Sequence, residues 1–286
     1  MALESVNRLM LGAEKGGYAV GYFESWNFES LLGVIDAAEQ TSSPVIIGFS
    51  GDFLSQRVGG TEEDLAAYGA MGRAIAMQAK IPCGFIFNEC ARDSWVARAI
   101  TAGFNLVMPA DPEAPYDEYR TRVKHLADLA HERGVAVEGD LEDDDEAADA
   151  YADRAAGFVD ATGVDLLAVS VGNEEIRLQG RAPLDLSRLD AVHRRVQIPL
   201  VLHGGTGIEE DSLKSAIRLG VRKVNYGTYI KQRYIPTIRR ALDSNEKNPH
   251  ALVGDGGEAD IMVIGRKAVR DAVLERIDFL GCCGQA

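Results

Sequence analysis

Eight short apolar runs, spread along most of the chain, limit what this sequence can fold into more than any other feature. They fall at residues 18–23, 44–49, 83–87, 105–109, 135–139, 166–171, 200–203 and 223–226. Each has the length of a strand and most are apolar almost throughout, the pattern of strands covered on both faces of a parallel sheet. Amphipathic stretches of helical length separate them, among them residues 28–39, 62–78, 94–102, 116–133 and 145–162. Strand and helix in alternation make repeated βα units. Eight such units predict an α/β fold, a single closed (β/α)8 TIM barrel, with a doubly wound open sheet as the alternative. The punctuation agrees: Gly103, Gly134, Gly163 and Gly220 each close a helical segment, and Pro44, Pro82 and Pro199 open strands, where a missing N–H is tolerated. An extra N-terminal helix over about residues 3–16 is expected to plug the barrel floor. Residues 241–286 are expected to add a helical C-terminal extension to one domain spanning 1–286.

Bulk properties narrow the function class. Hydrophobic residues fill 46% of the 286 positions, enough for one large core. No apolar run approaches the roughly 20 residues that span a bilayer, and the first residues lack the basic-then-apolar order of a secretory signal. The four cysteines, Cys83, Cys90, Cys282 and Cys283, show no zinc-knuckle spacing, so a reduced cytoplasmic protein with no membrane partner is expected. A formal charge of −14, without a Lys/Arg cluster, argues against nucleic acid as a partner. The acidic run from Glu142 to Glu146 reads as a solvated loop leading into a helix start, where negative charge is favoured, with a mobile lid as the alternative.

In a barrel the C-terminal ends of the strands converge on one rim, and catalytic groups sit there. Two of those ends have a special form. Leu200-Val-Leu-His-Gly-Gly-Thr-Gly207 and Val221-Arg-Lys-Val-Asn-Tyr-Gly-Thr228 each run from a strand through a small or polar turn into a helix. Glycine lets backbone approach an anion closely, and the N–H groups of a helix start point at it, so the pair reads as a phosphate cradle. Glu24, Ser50, Asn88, Glu89, Asp111, Glu138, Glu175, His203 and Asn225 complete the rim. Several carboxylates facing one mouth repel each other unless a cation neutralises them. One His with two or three carboxylates suits Mn2+, Mg2+, Fe2+ or Zn2+, the oxygen-rich set leaning to the harder ions. Pairing of the same acids with Arg or Lys across the barrel is the purely structural alternative. Cys90 reads as a packed thiol, Trp26 as either a pocket or a surface aromatic, and Tyr229, Lys231 and Arg233 as the first turns of the last barrel helix.

The chain resembles the class II, metal-dependent fructose-bisphosphate and tagatose-bisphosphate aldolases from about residue 5 to residue 240. The resemblance rests on Tyr18-Ala-Val-Gly-Tyr-Phe23, Ser43-Pro-Val-Ile-Ile47, Val107-Met108, Ala130-His-Glu-Arg-Gly-Val-Ala-Val-Glu138, Leu167-Ala-Val-Ser-Val-Gly-Asn173, Leu202-His-Gly-Gly-Thr-Gly207 and Gly220-Val-Arg-Lys-Val-Asn225. It implies reversible cleavage of a phosphorylated ketose, in which a zinc ion polarises the ketone and stabilises the enediolate while an Asp moves the hydroxyl proton. It also implies a homo-oligomer, a dimer or tetramer.

The departures from the family are chemical. Where the family has His-x-Asp-His, this chain has Ile86-Phe-Asn-Glu89, so the catalytic Asp falls on Asn88 and the first metal His on Glu89. The second metal His falls on Glu175, and only the third survives, as His203. The other histidines, His125, His131, His193 and His250, lie on helices or in the tail, which excludes a three-His zinc site. The resemblance therefore implies a rebuilt centre. Glu89, Glu175 and His203 hold a divalent metal ion (Mn2+, Mg2+ or Zn2+), and Asn88 orients a substrate hydroxyl. Glu24 or Glu138 replaces the lost base, with Glu174 a weaker candidate. Gly204, Gly205, Thr206 and Gly207 match the first half of the family's phosphate site and Asn225 and Thr228 the second; Ser50 matches a serine near a second phosphate. The expected function is a divergent class II aldolase-type carbon–carbon lyase acting on a phosphorylated ketose or related sugar. The alternatives are a metal-dependent phosphosugar isomerase or epimerase and a non-catalytic phosphosugar-binding protein.

Overall fold

The computed structural model describes residues 3–142, 146–173, 180–243 and 246–286. Eight parallel strands close on themselves in chain order: β1 (Val20–Glu24), β2 (Val45–Ser50), β3 (Cys83–Cys90), β4 (Leu106–Pro109), β5 (Ala136–Leu141), β6 (Leu166–Val169), β7 (Leu200–Leu202) and β8 (Val221–Tyr226). Pairing of β1 with β8, from Val20 against Lys223 to Phe23 against Tyr226, closes the barrel and excludes the open sheet. Every residue of β1, β2, β4, β6, β7 and β8 is buried. Inward side chains fill the barrel and outward ones meet the helices, which is why the strands read as unbroken apolar runs.

The helices are α1 (Val6–Gly16), α2 (Phe28–Thr41), α3 (Gly51–Ser55), α4 (Asp64–Gln78), α5 (Asp93–Ala102), α6 (Tyr116–His131), α7 (Ala148–Thr162), α8 (Leu186–Arg195), α9 (Glu210–Arg218), α10 (Thr228–Leu242), α11 (Pro249–Leu252) and α12 (Ile261–Ile277). The floor is tied to α1 by one side chain, since Asn105 donates to the Glu4 carbonyl and accepts from the Phe85 N–H. Asn27 and Ser30 form a reciprocal capping box at the start of α2, which fixes the chain just beyond Glu24. In the C-terminal tail α12 lies across α2 and α10, joined to α2 by the two-pronged Arg266–Asp36 pair at 2.6 Å. No described helix is long and apolar enough to cross a membrane.

The strand ends differ from the sequence expectation where they matter to the rim. β3 continues to Cys90 and shifts register against β4 between Phe87 and Cys90, so Asn88 and Glu89 lie on an irregular strand end. β7 stops at Leu202 because Gly204 turns the chain with φ 64°, leaving His203 at the strand mouth. β6 ends at Val169 rather than 171. Glu174 and Glu175 lie outside the described residues, as does residue 143–145 of the acidic run.

Candidate active site

A buried polar layer crosses the barrel beneath the rim. His203 stands at its centre, with Nδ1 2.8 Å from Glu89 Oε1 and Nε2 3.0 Å from Glu138 Oε1. Glu138 is fully buried, and its other oxygen lies 2.8 Å from Lys223 Nζ, itself fully buried. Lys223 also donates to Asn225 Oδ1 at 2.6 Å. That bond turns the Asn225 amide so that its NH2 faces His203 Nε2 at 2.9 Å and reaches toward Asn88 Oδ1 at 3.5 Å. The ammonium is 5.2 Å from the centre of the Tyr22 ring, a cation–π contact on its remaining side.

Charge balance explains why the layer is stable. Burial raises the Glu138 carboxyl, but Lys223 and then His203 outweigh it and hold the group below the usual carboxylate range. Burial likewise raises Glu89, and His203, followed by Asn88 and Lys223, more than reverses it. Lys223 is pushed below the ordinary lysine range by burial, against the pull of Glu138. Glu89 carries a further sign of function: its φ is 54°, the left-handed region that non-glycine residues avoid. Such a backbone costs of order 1 kcal/mol or more and persists where the surroundings impose it, most often at sites.

Above this layer is a cavity of about 230 Å³ walled by Glu24, Ser50, Asn88, Glu89, His203, Asn225 and Thr228, among others. Glu24 ends β1, is 9% exposed, and holds Lys231 Nζ at 2.7 Å. Burial pushes its carboxyl above the usual range, and Lys231 offsets only part of the rise. Gly227 leaves room for Glu24 here, because a Cβ on it would lie 2.3 Å from Glu24 Oε2. Gly227→Ala is therefore expected to displace Glu24. Turnover should fall at least about 10-fold, while thermal melting drops by only the few degrees of a local overpacking. Kinetics beside a melting curve check this.

The two glycine-rich turns divide their labour. Gly204, Asn225, Gly227 and Thr228 line the cavity. Gly205, Thr206 and Gly207 form a 3-10 turn beside it, with Gly205 and Gly207 buried. The Thr206 hydroxyl accepts from the Tyr229 N–H at 3.1 Å, so the first turn caps α10, whose own N-cap, Gly227, has no side chain to do so. Ser50 lines the cavity while accepting from the Phe53 N–H at 3.3 Å as the N-cap of α3. Asp111 is drawn off to Arg122 at 2.7 Å, the structural alternative realised for that acid. Trp26 packs edge-on against Tyr234 of α10, with ring centres 5.0 Å apart. Burial pushes the Cys90 thiol up to about 11, which leaves it inert.

The donor set decides how far a metal fits. Glu89 and His203 bring one carboxylate and one imidazole together, chemistry suited to a divalent ion. Among the described residues no group of three or more His, Cys, Asp or Glu side chains could hold one. Glu138 is engaged by Lys223, and Glu175 lies outside the described residues.

The sequence reading places neither Tyr22 nor Lys223 at the site and reads Lys231 only as part of the first turns of the last barrel helix. Lys223 left a signal, since a lysine within a barrel strand that is buried along its whole length has to find a buried acid. Lys231 left none beyond its place in the first turns of that helix.

A closed parallel barrel, with a cradle-forming turn pair and an imidazole–carboxylate cluster at its C-terminal rim, is the architecture of a (β/α)8 barrel enzyme. The sequence pattern described as Fructose-bisphosphate aldolase class-II matches residues 4–285, and the chain belongs to that family. Among solved structures it is similar to the YdjI aldolase from Escherichia coli K12, with 30% identity, a TM-score of 0.84 and coverage of 99% of each chain. The fructose-bisphosphate aldolase of Campylobacter jejuni shares the fold. Its TM-score is 0.82 at 20% identity, and the match covers 100% of this chain and 97% of that one.

Proposed function

We propose that this protein is an aldolase-type carbon–carbon lyase for a phosphorylated ketose or related sugar acid, with a divalent ion held by Glu89, His203 and Glu175. The observation that supports it best is the pairing of a lost acid with a new one. Asn88 stands where the family's proton-transferring Asp would be, and Glu24 enters the same cavity from β1. When bound, the ion supplies Lewis-acid polarisation of the substrate carbonyl. The chain's own groups do the rest. Backbone N–H groups at Gly204 and Thr228 hold the phosphate. Asn88 hydrogen-bonds the hydroxyl at the bond to be cleaved but cannot accept its proton. Glu24 takes that proton, its burial favouring the acid form. Glu138 is the weaker base because both its oxygens are occupied, by His203 and Lys223; it orients the imidazole.

Asn88 also favours a second reading, isomerisation or epimerisation of a phosphosugar, in which no bond between carbons breaks. Incubating metal-loaded protein with ketose phosphates and analysing products separates the two. Lyase activity releases a triose phosphate, whereas an isomerase conserves carbon number. Binding of the same compounds with no turnover at any metal loading would leave a phosphosugar-binding protein.

The metal is tested directly by titrating stripped protein with Mn2+, Mg2+ and Zn2+. One site is expected, with affinity weakened more than about 100-fold in Glu89→Gln, beyond what the loss of a supporting residue outside the ligand set produces. Equal affinity in that variant would remove Glu89 from the ligand set.

A further inference from the structure

Apart from His203, a single basic side chain lines the described walls of the cavity: Lys231. It is one-third exposed and sits on the first turn of α10, three residues after Thr228 and on the same helix face. A long side chain there leans back toward the helix N-terminus, the direction of the phosphate turns. Its ammonium lies 2.7 Å from Glu24 Oε1 and 4.3 Å from the centre of the Phe53 ring. Ammonium carries three donors, and the Glu24 carboxylate takes one. The other oxygen of Glu24 rests against Gly227, the residue from which α10 springs. A carboxylate between a lysine and a helix N-terminus occupies ground that favours any anion. In the free protein Glu24 fills that ground itself.

We propose that Lys231 is shared: it holds Glu24 in the free protein and the substrate's phosphate in the complex, so that phosphate binding detaches Glu24 and frees it as the base. The step is an exchange of ion-pair partners, with no bond made or broken. A dianionic phosphate displaces a monoanionic carboxylate from one ammonium because its attraction at equal distance is the larger. The arrangement ties the arrival of the non-reacting end of the substrate to the readiness of the proton acceptor. A ligand without phosphate would leave Glu24 engaged. This inference rests on the lyase reading for the role of Glu24, while its binding half stands on the cavity alone.

The test is calorimetric titration with inorganic phosphate and with dihydroxyacetone phosphate, on the wild type, Lys231→Met, Lys231→Arg, Glu24→Gln and Asp52→Asn. Lys231→Met should weaken both ligands about 10-fold, the worth of one charge-assisted hydrogen bond, and Lys231→Arg should restore most of the loss. Glu24→Gln should tighten both several-fold by removing the internal competitor. Asp52→Asn, which neutralises another acid on the same wall, should tighten them less. Opposite signs for two partners of one ion pair are the mark of competition; a pair that merely builds the wall would weaken binding from either side. Wild-type affinity in Lys231→Met, weakening in Glu24→Gln, or no phosphate binding by any form would each overturn the proposal. Because binding is read without turnover, a protein that shows the expected signs and cleaves nothing fails the lyase reading alone.

Discussion

Replacing Glu24 by Gln is expected to lower turnover by roughly 10²- to 10⁴-fold, the range for losing a general base, with the fold intact. The substitution keeps size and shape, and the amide oxygen can still accept from Lys231. The group lost is the buried carboxylate whose pKa is raised by burial and only partly restored by Lys231. Removing a desolvated charge should leave the melting temperature unchanged or slightly higher, so a fall in rate cannot be charged to unfolding. Phosphate affinity is expected to rise in the same variant, a combination of tighter binding and slower chemistry that a damaged site does not produce. Steady-state rates, melting curves and phosphate titrations on one preparation check all three. Wild-type turnover in Glu24→Gln would place the proton on another group.

Lys223→Met carries the largest expected cost in stability, about 3–5 kcal/mol, the usual consequence of stripping one partner from a buried ion pair. Lys223 and Glu138 are both fully buried and 2.8 Å apart. Without the ammonium, Glu138 keeps only His203, and the Asn225 amide loses the bond that fixes its orientation. The sign follows from the pKa directions. Lys223 is the main influence holding Glu138 below its ordinary range, so its removal lets burial drive the carboxyl up. The double variant Lys223→Met, Glu138→Gln should recover part of the loss, because the neutral amide no longer needs a counter-charge. Denaturant midpoints of the wild type, both single variants and the double variant form the cycle. Additive losses would show that the two residues do not stabilise each other.

Much of the barrel was legible because β-strands covered on both faces leave an unmistakable run of apolar residues. β8 shows the limit: its expected span was residues 223–226, whereas the strand begins at Val221 and buries Arg222 and Lys223. The paired turns after β7 and β8 were legible as a unit, but not the division between them. Nothing in Gly-Gly-Thr-Gly says that Thr206 caps the neighbouring helix while Gly227 and Thr228 face the cavity. The irregular end of β3 left no trace, since a left-handed Glu89 is imposed by its surroundings and not by its own propensity. Glu24, Asn88, Glu89 and His203 meet at one cavity because strand ends of a barrel must converge, a consequence of topology that needs no side-chain signal. That Lys231 reaches the cavity required the three-dimensional path of α10.

A lyase of the proposed kind opens and forms bonds at the carbon beside a phosphorylated ketone. Its most direct test is proton exchange on dihydroxyacetone phosphate alone, since that needs no knowledge of the aldehyde partner. Metal-loaded protein in D2O should replace one of the two hydroxymethyl protons with deuterium, seen as loss of half that NMR signal, and chelation should stop it. Absence of exchange at saturating ligand and metal would contradict the account and leave a barrel that binds phosphosugars without acting on them.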